Sequence, residues 1–133
     1  MTTGNNKQNA ARVLITGAAG FIAPHLVEAC IQRNWGVLGV DLLECRFEHP
    51  LFAFEKKDVR ELTLDNMQGI DYVFHMAFVT NISQSINNPL GTTQDNIGMT
   101  AYLLDLSTKA GVKKFVFPST ASLYGNNPTP WRE

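Results

Sequence analysis

The stretch Arg12-Val-Leu-Ile-Thr-Gly-Ala-Ala-Gly-Phe-Ile-Ala-Pro-His-Leu-Val-Glu28 decides the fold. Val13 to Ile15 form a short apolar run of strand character. A glycine turn, Gly17-Ala18-Ala19-Gly20, follows, and from Phe21 the apolar residues Phe21, Ile22, Leu26, Ala29 and Cys30 fall at helical spacing. Strand, glycine turn and helix in that order open a dinucleotide-binding βαβ unit. The reason is backbone access: unpaired N–H groups at a helix N-terminus, aided by the positive end of the helix dipole, bind a pyrophosphate. A side chain at Gly17 or Gly20 would hold the phosphate away from those donors.

The last position of the Gly-x-x-Gly-x-x-Gly spacing is Ala23, one methyl larger, where alanine is a tolerated variant. Pro24 falls among the first four helical positions, whose N–H groups lack helical partners in any case, so it removes little. A glycine turn alone is equally a loop of an unrelated α/β domain. Asp41 strengthens the reading: it lies 24 residues beyond Gly17, at the end of a second strand-like run, Val37-Leu38-Gly39-Val40. An acidic residue about 20 residues past the turn is where adenosine ribose hydroxyls are held, although a turn or helix-capping aspartate has the same look.

The chain of 133 residues is one domain's worth and long enough for a core. Eleven basic residues against 12 acidic ones give no electrostatic case for nucleic acid or an anionic membrane. No apolar run approaches a membrane span, and Met1 to Ala11 is polar, without the apolar segment of a secretory signal. Residues 1–11 are expected to be a flexible tail. Cys30 and Cys45 lack Cys-x-x-Cys spacing and read as reduced thiols of a cytoplasmic protein. Glu44, Cys45, Glu48 and His49 cluster, but their irregular spacing on a loop fits a solvated turn better than a metal site.

Further along, the pattern predicts a loop from Leu42 to Pro50 and a third strand over Leu51–Phe54. A short polar helix or turn follows near Leu62–Gly69, then a fourth strand over Asp71–His75. A loop containing Asn87-Asn88-Pro89 leads to a helix over about Thr93–Ala110, carrying Ile97, Ala101, Leu103, Leu104 and Leu106 and stopped by Gly111. A fifth strand covers Lys114–Pro118, and Asn126 to Glu133 reads as extended. Strands alternating with helical segments predict an α/β fold: a Rossmann-type doubly wound parallel sheet of about five strands in order 3-2-1-4-5. Ligand would then sit at the carboxyl ends of strands one and four, where the order reverses. Gly17, Asp41, Asp58, Ala77 and Thr120 all fall at such strand ends.

Five stretches together carry a family resemblance: Thr16-Gly-Ala-Ala-Gly-Phe-Ile22, Val40-Asp41, Asp58-Val59-Arg60, His75-Met-Ala77 and Phe117-Pro-Ser-Thr-Ala-Ser-Leu-Tyr-Gly125. In their order and spacing the chain resembles the N-terminal, NAD-binding part of the extended short-chain dehydrogenase/reductases, which include NAD-dependent sugar-nucleotide epimerases and dehydratases. The resemblance implies that Gly17, Gly20, Phe21 and Ile22 border the pyrophosphate. It implies that Asp41 takes the ribose hydroxyls and repels a 2′-phosphate, so NAD is preferred over NADP, with Leu42 and Leu43 standing where an arginine would greet that phosphate. Asp58 would accept from the adenine amino group, and Val59 would contact the ring through its backbone. Met76, Ala77 and Phe78 would pass beside the nicotinamide ribose, Phe78 making a bulkier wall than the family's usual small residue. Asn96 falls in a segment that approaches the cofactor in relatives. Thr120 would be the catalytic hydroxyl, bonding the substrate's reacting oxygen, and Ser122 could touch substrate; an ordinary strand-end hydroxyl is the alternative for Thr120.

The family's proton-transfer pair is Tyr-x-x-x-Lys, and this chain has none: the fourth residue after Tyr72 is Met76, after Tyr102 Leu106, and after Tyr124 Pro128. Tyr124 matches the family's structural tyrosine. The expectation is therefore a cofactor half, residues 12–133, inactive alone and lacking the later strands and the substrate domain. It would be either a fragment of a sugar-nucleotide epimerase or dehydratase or a non-catalytic NAD-binding module or inactive gene product. Ala121 and Ser122, where dehydratases of the family carry an acidic pair, favour an epimerase or a simple dehydrogenase. Asp41 and the glycine spacing disfavour a flavin site. In relatives the long helix joins a dimer interface, so residues 93–110 are the expected homodimer surface.

Overall fold

The computed structural model describes residues 10–130; residues 1–9 of the expected tail and 131–133 of the expected extended stretch lie outside the described residues. Strands β1 (Arg12–Thr16), β2 (Gly36–Asp41), β3 (Phe52–Lys56), β4 (Tyr72–His75) and β5 (Lys114–Val116) form one sheet in the order β3-β2-β1-β4-β5. Every pairing is parallel, and Leu14 of β1 lies opposite Leu38 of β2 and Val73 of β4. Parallel neighbours need a crossover, and each crossover covers one face. Alternation along β1 therefore splits the core. Val13 and Ile15 pack with Ala23, Val27 and Cys30 of helix α1 (Ala23–Gln32). Leu14 and Val73 pack on the other face with Leu62 and Met67 and with Met99, Leu103 and Leu106 of a long helical run.

That run starts earlier than the sequence pattern predicts. Where a loop is expected, two short helices form, α2 (Ile82–Asn87) and α3 (Pro89–Thr93); their N-caps are Asn81, accepting from the Gln84 N–H, and Asn88, accepting from the Gly91 N–H. An asparagine that reads as a loop residue is also a good helix cap, and Pro89 sits at the first turn, where proline costs least. A π-helical turn, Gln94–Gly98, then joins α3 to α4 (Met99–Lys109). Gly111, at φ +71°, closes α4 as expected: the Gly111 N–H donates to the Thr108 carbonyl and Val112 N–H to that of Ser107.

Three local expectations are corrected. The apolar residues of the long helix form two stripes: Met99, Leu103 and Leu106 are buried, whereas Ile97 is 66% and Leu104 40% exposed. Periodicity alone cannot rank two stripes on one helix. Helix α1 begins at Ala23, two residues later than expected, and its core face is Ala23, Val27 and Cys30 while Phe21 and Ile22 point to solvent. The turn expected near 62–69 forms, at 64–69, but it is not simply polar: Leu62 and Met67 are wholly buried. Among the described residues, no helix is long and apolar enough to cross a membrane.

The core carries the stability. Burying a side chain such as Leu14 or Leu103 contributes roughly 1.5–3 kcal/mol. An exposed pair such as Lys56–Glu44, 2.7 Å apart with both side chains more than half exposed, contributes about 0–1 kcal/mol. Two glycines show what packing demands. A Cβ on Gly17 would lie 2.7 Å from the Met76 carbonyl carbon and 2.8 Å from the Ala77 nitrogen, at φ +69°. A Cβ on Gly98 would meet nothing within 4 Å, in helical backbone.

Gly17→Ala is accordingly expected to destabilise the fold by about 3 kcal/mol or more, and Gly98→Ala to stabilise it by about 0.5–1 kcal/mol, both read by urea unfolding. The buried imidazole of His75 adds a pH dependence, since burial pushes its pKa down to about 4. The unfolded chain takes up this proton below its own pKa near 6.5, so the stabilisation is complete above that value and is lost as pH falls toward 4. Between pH 7 and pH 5 the loss comes to about 2 kcal/mol. Below that window Asp58 and Asp71, held below the usual carboxylate range by hydrogen bonds from Arg60 and Lys113 respectively, add to the loss. Urea unfolding at pH 7 and pH 5 should show the drop in the parent and a much flatter response in His75→Gln; equal slopes would contradict the burial argument.

Candidate cofactor-binding cleft

β1 and β4 are sheet neighbours whose chains leave in opposite directions, β1 toward α1 and β4 toward α2. A cleft of about 340 Å³ opens between the two exits, within the range of roughly 300–1,000 Å³ usual for small-molecule sites. Its floor is the glycine turn, Gly17 and Gly20, and its walls are the segment after β4, Met76 to Val79, and the ends of β2 and β3. The turn is closed on itself: the Gly20 N–H donates to the Gly17 carbonyl at 2.9 Å and Ala18 N–H to the Val40 carbonyl at 3.2 Å. Gly17 has a reason beyond phosphate access, because the end of β4 lies where its side chain would be. Ala23 fits the helix–strand contact as expected and is 1% exposed.

Helix α1 has no side-chain cap at Ile22, no acidic residue in its first turn, and proline within that turn. Pro24 has no N–H and the His25 N–H already donates to the Ile22 carbonyl at 3.1 Å, so this terminus offers an anion the N–H groups ahead of Pro24 and the positive end of the helix dipole. Asp41 sits across the turn from them. One carboxylate oxygen accepts from the Ala19 N–H and the other from the Leu43 N–H, both at 2.9 Å. Two fixed donors orient this carboxylate and leave lone pairs on each oxygen for a hydroxyl ligand.

Asp58 and Val59 line the cleft beside Leu42 and Leu43. Asp58 caps the short 3-10 turn Val59–Glu61 by accepting from the Arg60 N–H at 2.8 Å. Its two oxygens also accept the Arg60 guanidinium, Nε at 2.9 Å and Nη2 at 2.6 Å, which holds its carboxyl below the usual range. Arg60 reaches on to Asp95 at 3.1 Å across the cleft mouth, and that ion pair raises its pKa further. A ligand amino group seeking Asp58 must share it with this guanidinium.

Eight of the residues expected to hold a cofactor thus line one cavity: Gly17, Gly20, Asp41, Asp58, Val59, Met76, Ala77 and Phe78. Five expected site residues do not line it. Phe21 and Ile22 are 90% and 54% exposed, outside the cavity, because α1 starts after them. Asn96 spends its amide on backbone: Oδ1 accepts from the Val79 N–H at 2.8 Å and Nδ2 donates to the Val79 carbonyl at 2.9 Å. Thr120 and Ser122 are exposed beyond the end of β5. Thr120 caps the 3-10 turn Ala121–Tyr124, its hydroxyl oxygen accepting from the Ser122 N–H at 3.2 Å, and it lines a separate shallow depression with Ser119, Leu123 and Tyr124. The cleft also contains Lys57, Arg60, Val79, Asp95 and Met99. The spacing Asp58-x-Arg60 was a readable sign of the first ion pair. Nothing in the sequence announces Asp95, which arrives through the fold.

The sequence profile of the NAD dependent epimerase/dehydratase family matches residues 13–133. A putative UDP-glucose 4-epimerase of Methanocaldococcus jannaschii is 32% identical over 120 residues, covering 85% of this chain and 39% of that protein. A UDP-glucuronate 4-epimerase of Thermodesulfobacterium geofontis is 31% identical, covering 90% and 42%. Among solved structures, a UDP-N-acetylglucosamine 4-epimerase from Methanobrevibacter ruminantium superposes with a TM-score of 0.81 at 30% identity, over 93% of this chain and 43% of that one. A UDP-glucose-4-epimerase from Stenotrophomonas maltophila with bound NAD and formylated UDP-arabinopyranose gives 0.79 at 31%, over 91% and 40%. The chain spans about two fifths of the length of these relatives. With the profile matched over nearly its whole length and the five-stranded order in place, the chain belongs to the NAD dependent epimerase/dehydratase family.

Proposed function

We propose that residues 12–133 bind NAD in this cleft and form the cofactor-holding part of an oxidoreductase acting on nucleotide sugars, of epimerase or dehydratase type. The observation that carries the reading is the pairing of an uncapped helix N-terminus with an oriented carboxylate, Asp41, on either side of one glycine turn. The first suits a pyrophosphate and the second a ribose diol. Asp41 also disfavours a 2′-phosphate by charge, and Leu42 and Leu43 offer that phosphate no cation. Asp58 and Val59 serve the adenine end; Met76, Ala77 and Phe78 serve the nicotinamide end. Bound NAD supplies a hydride acceptor for a carbinol carbon.

The solved relatives bound to NAD and to UDP sugars support this assignment of cofactor and substrate class. Thr120, with Ser122 beside it, is proposed as the hydroxyl that orients the substrate's reacting oxygen. The base it would assist is not among these 133 residues, because no tyrosine here has a lysine four places on. Cys30 and Cys45 are both free thiols, in keeping with the reducing cytoplasm. The exposed stripe Ile97, Ala101 and Leu104 is proposed as the face through which two copies pair.

Asp41→Ala should weaken NAD binding about tenfold and narrow the preference over NADP, read by titration calorimetry. Equal NAD affinities of parent and variant would overturn the ribose assignment. For the pairing face, the double variant Ile97→Lys, Leu104→Lys should shift a dimer to monomer in light scattering, with α-helical content unchanged. A parent that is monomeric at high concentration would refute that surface.

A further inference from the structure

A buried, fully hydrogen-bonded imidazole lies behind the cleft, outside its lining. His75, the last residue of β4, is wholly buried, and both ring nitrogens have hydroxyl partners: Thr16 Oγ1 2.7 Å from Nδ1 and Thr100 Oγ1 3.0 Å from Nε2. The direction of each bond follows from counting protons. Thr100 has one hydroxyl proton and gives it to the Asn96 carbonyl, 2.6 Å away. Its oxygen can then only accept, so the proton of the neutral imidazole must be on Nε2. Nδ1 is left to accept from the Thr16 hydroxyl. The Thr16 oxygen in turn accepts from the Met76 and Ala77 N–H groups at 3.2 and 3.3 Å. Every donor in this chain meets an acceptor, and it runs without a break from the long helix to the cleft wall.

Both ends matter to the cleft. Thr16 immediately precedes Gly17, and Met76 and Ala77 line the cavity. Among the described residues the Ala77 amide meets no other acceptor, whereas Met76 N–H also reaches the Thr16 carbonyl at 3.1 Å. The same face of the helix makes a second tie four residues earlier, where Asn96 brackets the Val79 backbone in both directions. A π-helical turn, Gln94–Gly98, contains the Asn96 tie and ends two residues before Thr100, a distortion that often accompanies functional positions in helices. Phe78 rests on the imidazole with ring centroids 4.7 Å apart, and Phe115 lies at 5.9 Å. The ring is therefore fixed by packing as well as by its two hydrogen bonds.

We propose that Thr100, acting through His75 and Thr16, is a positioning residue for the cofactor wall: it holds the Met76–Ala77 backbone against the glycine turn without touching ligand. The functional consequence rests on the NAD-binding reading above, but the geometry does not. The hydroxyl of Thr100 defines the His75 tautomer. The tautomer determines which way the Thr16 hydroxyl points, and that leaves the Thr16 oxygen open to the Ala77 N–H. Without the Thr100 hydroxyl, Nε2–H loses its acceptor, the tautomer is no longer defined, and the Ala77 amide loses its place.

The test uses the whole 133-residue chain as parent, Thr100→Val and Thr100→Ser. Imidazole ¹⁵N spectra at pH 7, amide hydrogen exchange and NAD affinity are measured on each. The parent should show one Nε2–H tautomer for His75. In Thr100→Val the Ala77 amide should exchange about tenfold faster relative to the Val37 amide of β2, and NAD affinity should fall about fivefold. Thr100→Ser, which keeps the hydroxyl, should restore both. A parent His75 protonated on Nδ1, or Ala77 exchange unchanged in Thr100→Val, would overturn the proposal. So would acceleration of Ala77 and Val37 alike, which is the mark of general destabilisation. Should the parent not bind NAD, the functional reading falls, while tautomer and exchange still decide the positioning role. Should Thr100→Val not fold, the parent tautomer decides it.

Discussion

The carboxyl ends of β1 and β4 meet so closely that no side chain fits between them, and the rest of the site depends on that contact. With Gly17 against the Met76–Ala77 peptide, a methyl group would sit 2.7 Å from backbone that cannot move without breaking the sheet. From this point the two chains part, one into the glycine turn and α1, the other along the cleft wall toward the long helix. The cleft is the space between them. Its position is thus a consequence of sheet order, because only β1 has a neighbour on each side whose crossover covers the opposite face. The apolar layers on either face, around Ile15 and around Leu14, hold the two strand ends in register.

Electrostatics then shape the space. On the turn side are backbone donors and the positive end of a helix dipole; on the far side is one carboxylate, Asp41, fixed by two amides. Next to it the Asp58–Arg60–Asp95 set spans the mouth, two carboxylates sharing one guanidinium. Arg60 is about half exposed, so this set contributes to shape and selectivity more than to stability. Farther back, the buried imidazole of His75 remains neutral and serves as a hydrogen-bonding spacer. The polar groups are thus graded from solvated ion pairs at the mouth to a neutral, fully bonded chain in the core.

Much of this was legible in the sequence, for local reasons. The Val13–Ile15 run, the glycine turn and Asp41 each announce themselves within a few residues, and alternation of strand and helix fixed the sheet order. What the sequence obscured depended on choices made by tertiary packing. Phe21 and Ile22 continue the apolar pattern of α1 yet lie before its first turn, because the helix begins only where Ala23 can sit on β1. The long helix bears two apolar stripes of similar strength, and only the sheet shows that Leu103 faces inward and Ile97 outward. Asn88 and Pro89 read as a loop because the same residues that break helices also start them. Asn96 could be placed near the cleft, but not its bracket on Val79, and Asp95 meets Arg60 from 35 positions away.

The measurement that tests the central claim most directly is the map of backbone amide shifts when NAD is added to the ¹⁵N-labelled chain. The account predicts saturable changes at Gly17, Ala19, Gly20, Leu43, Val59 and Ala77, residues that meet only around this cleft, with the amides of β5 and Thr120 much less affected. Changes confined to the Thr120 region or the outer face of the long helix, or no saturable change at all, would contradict it.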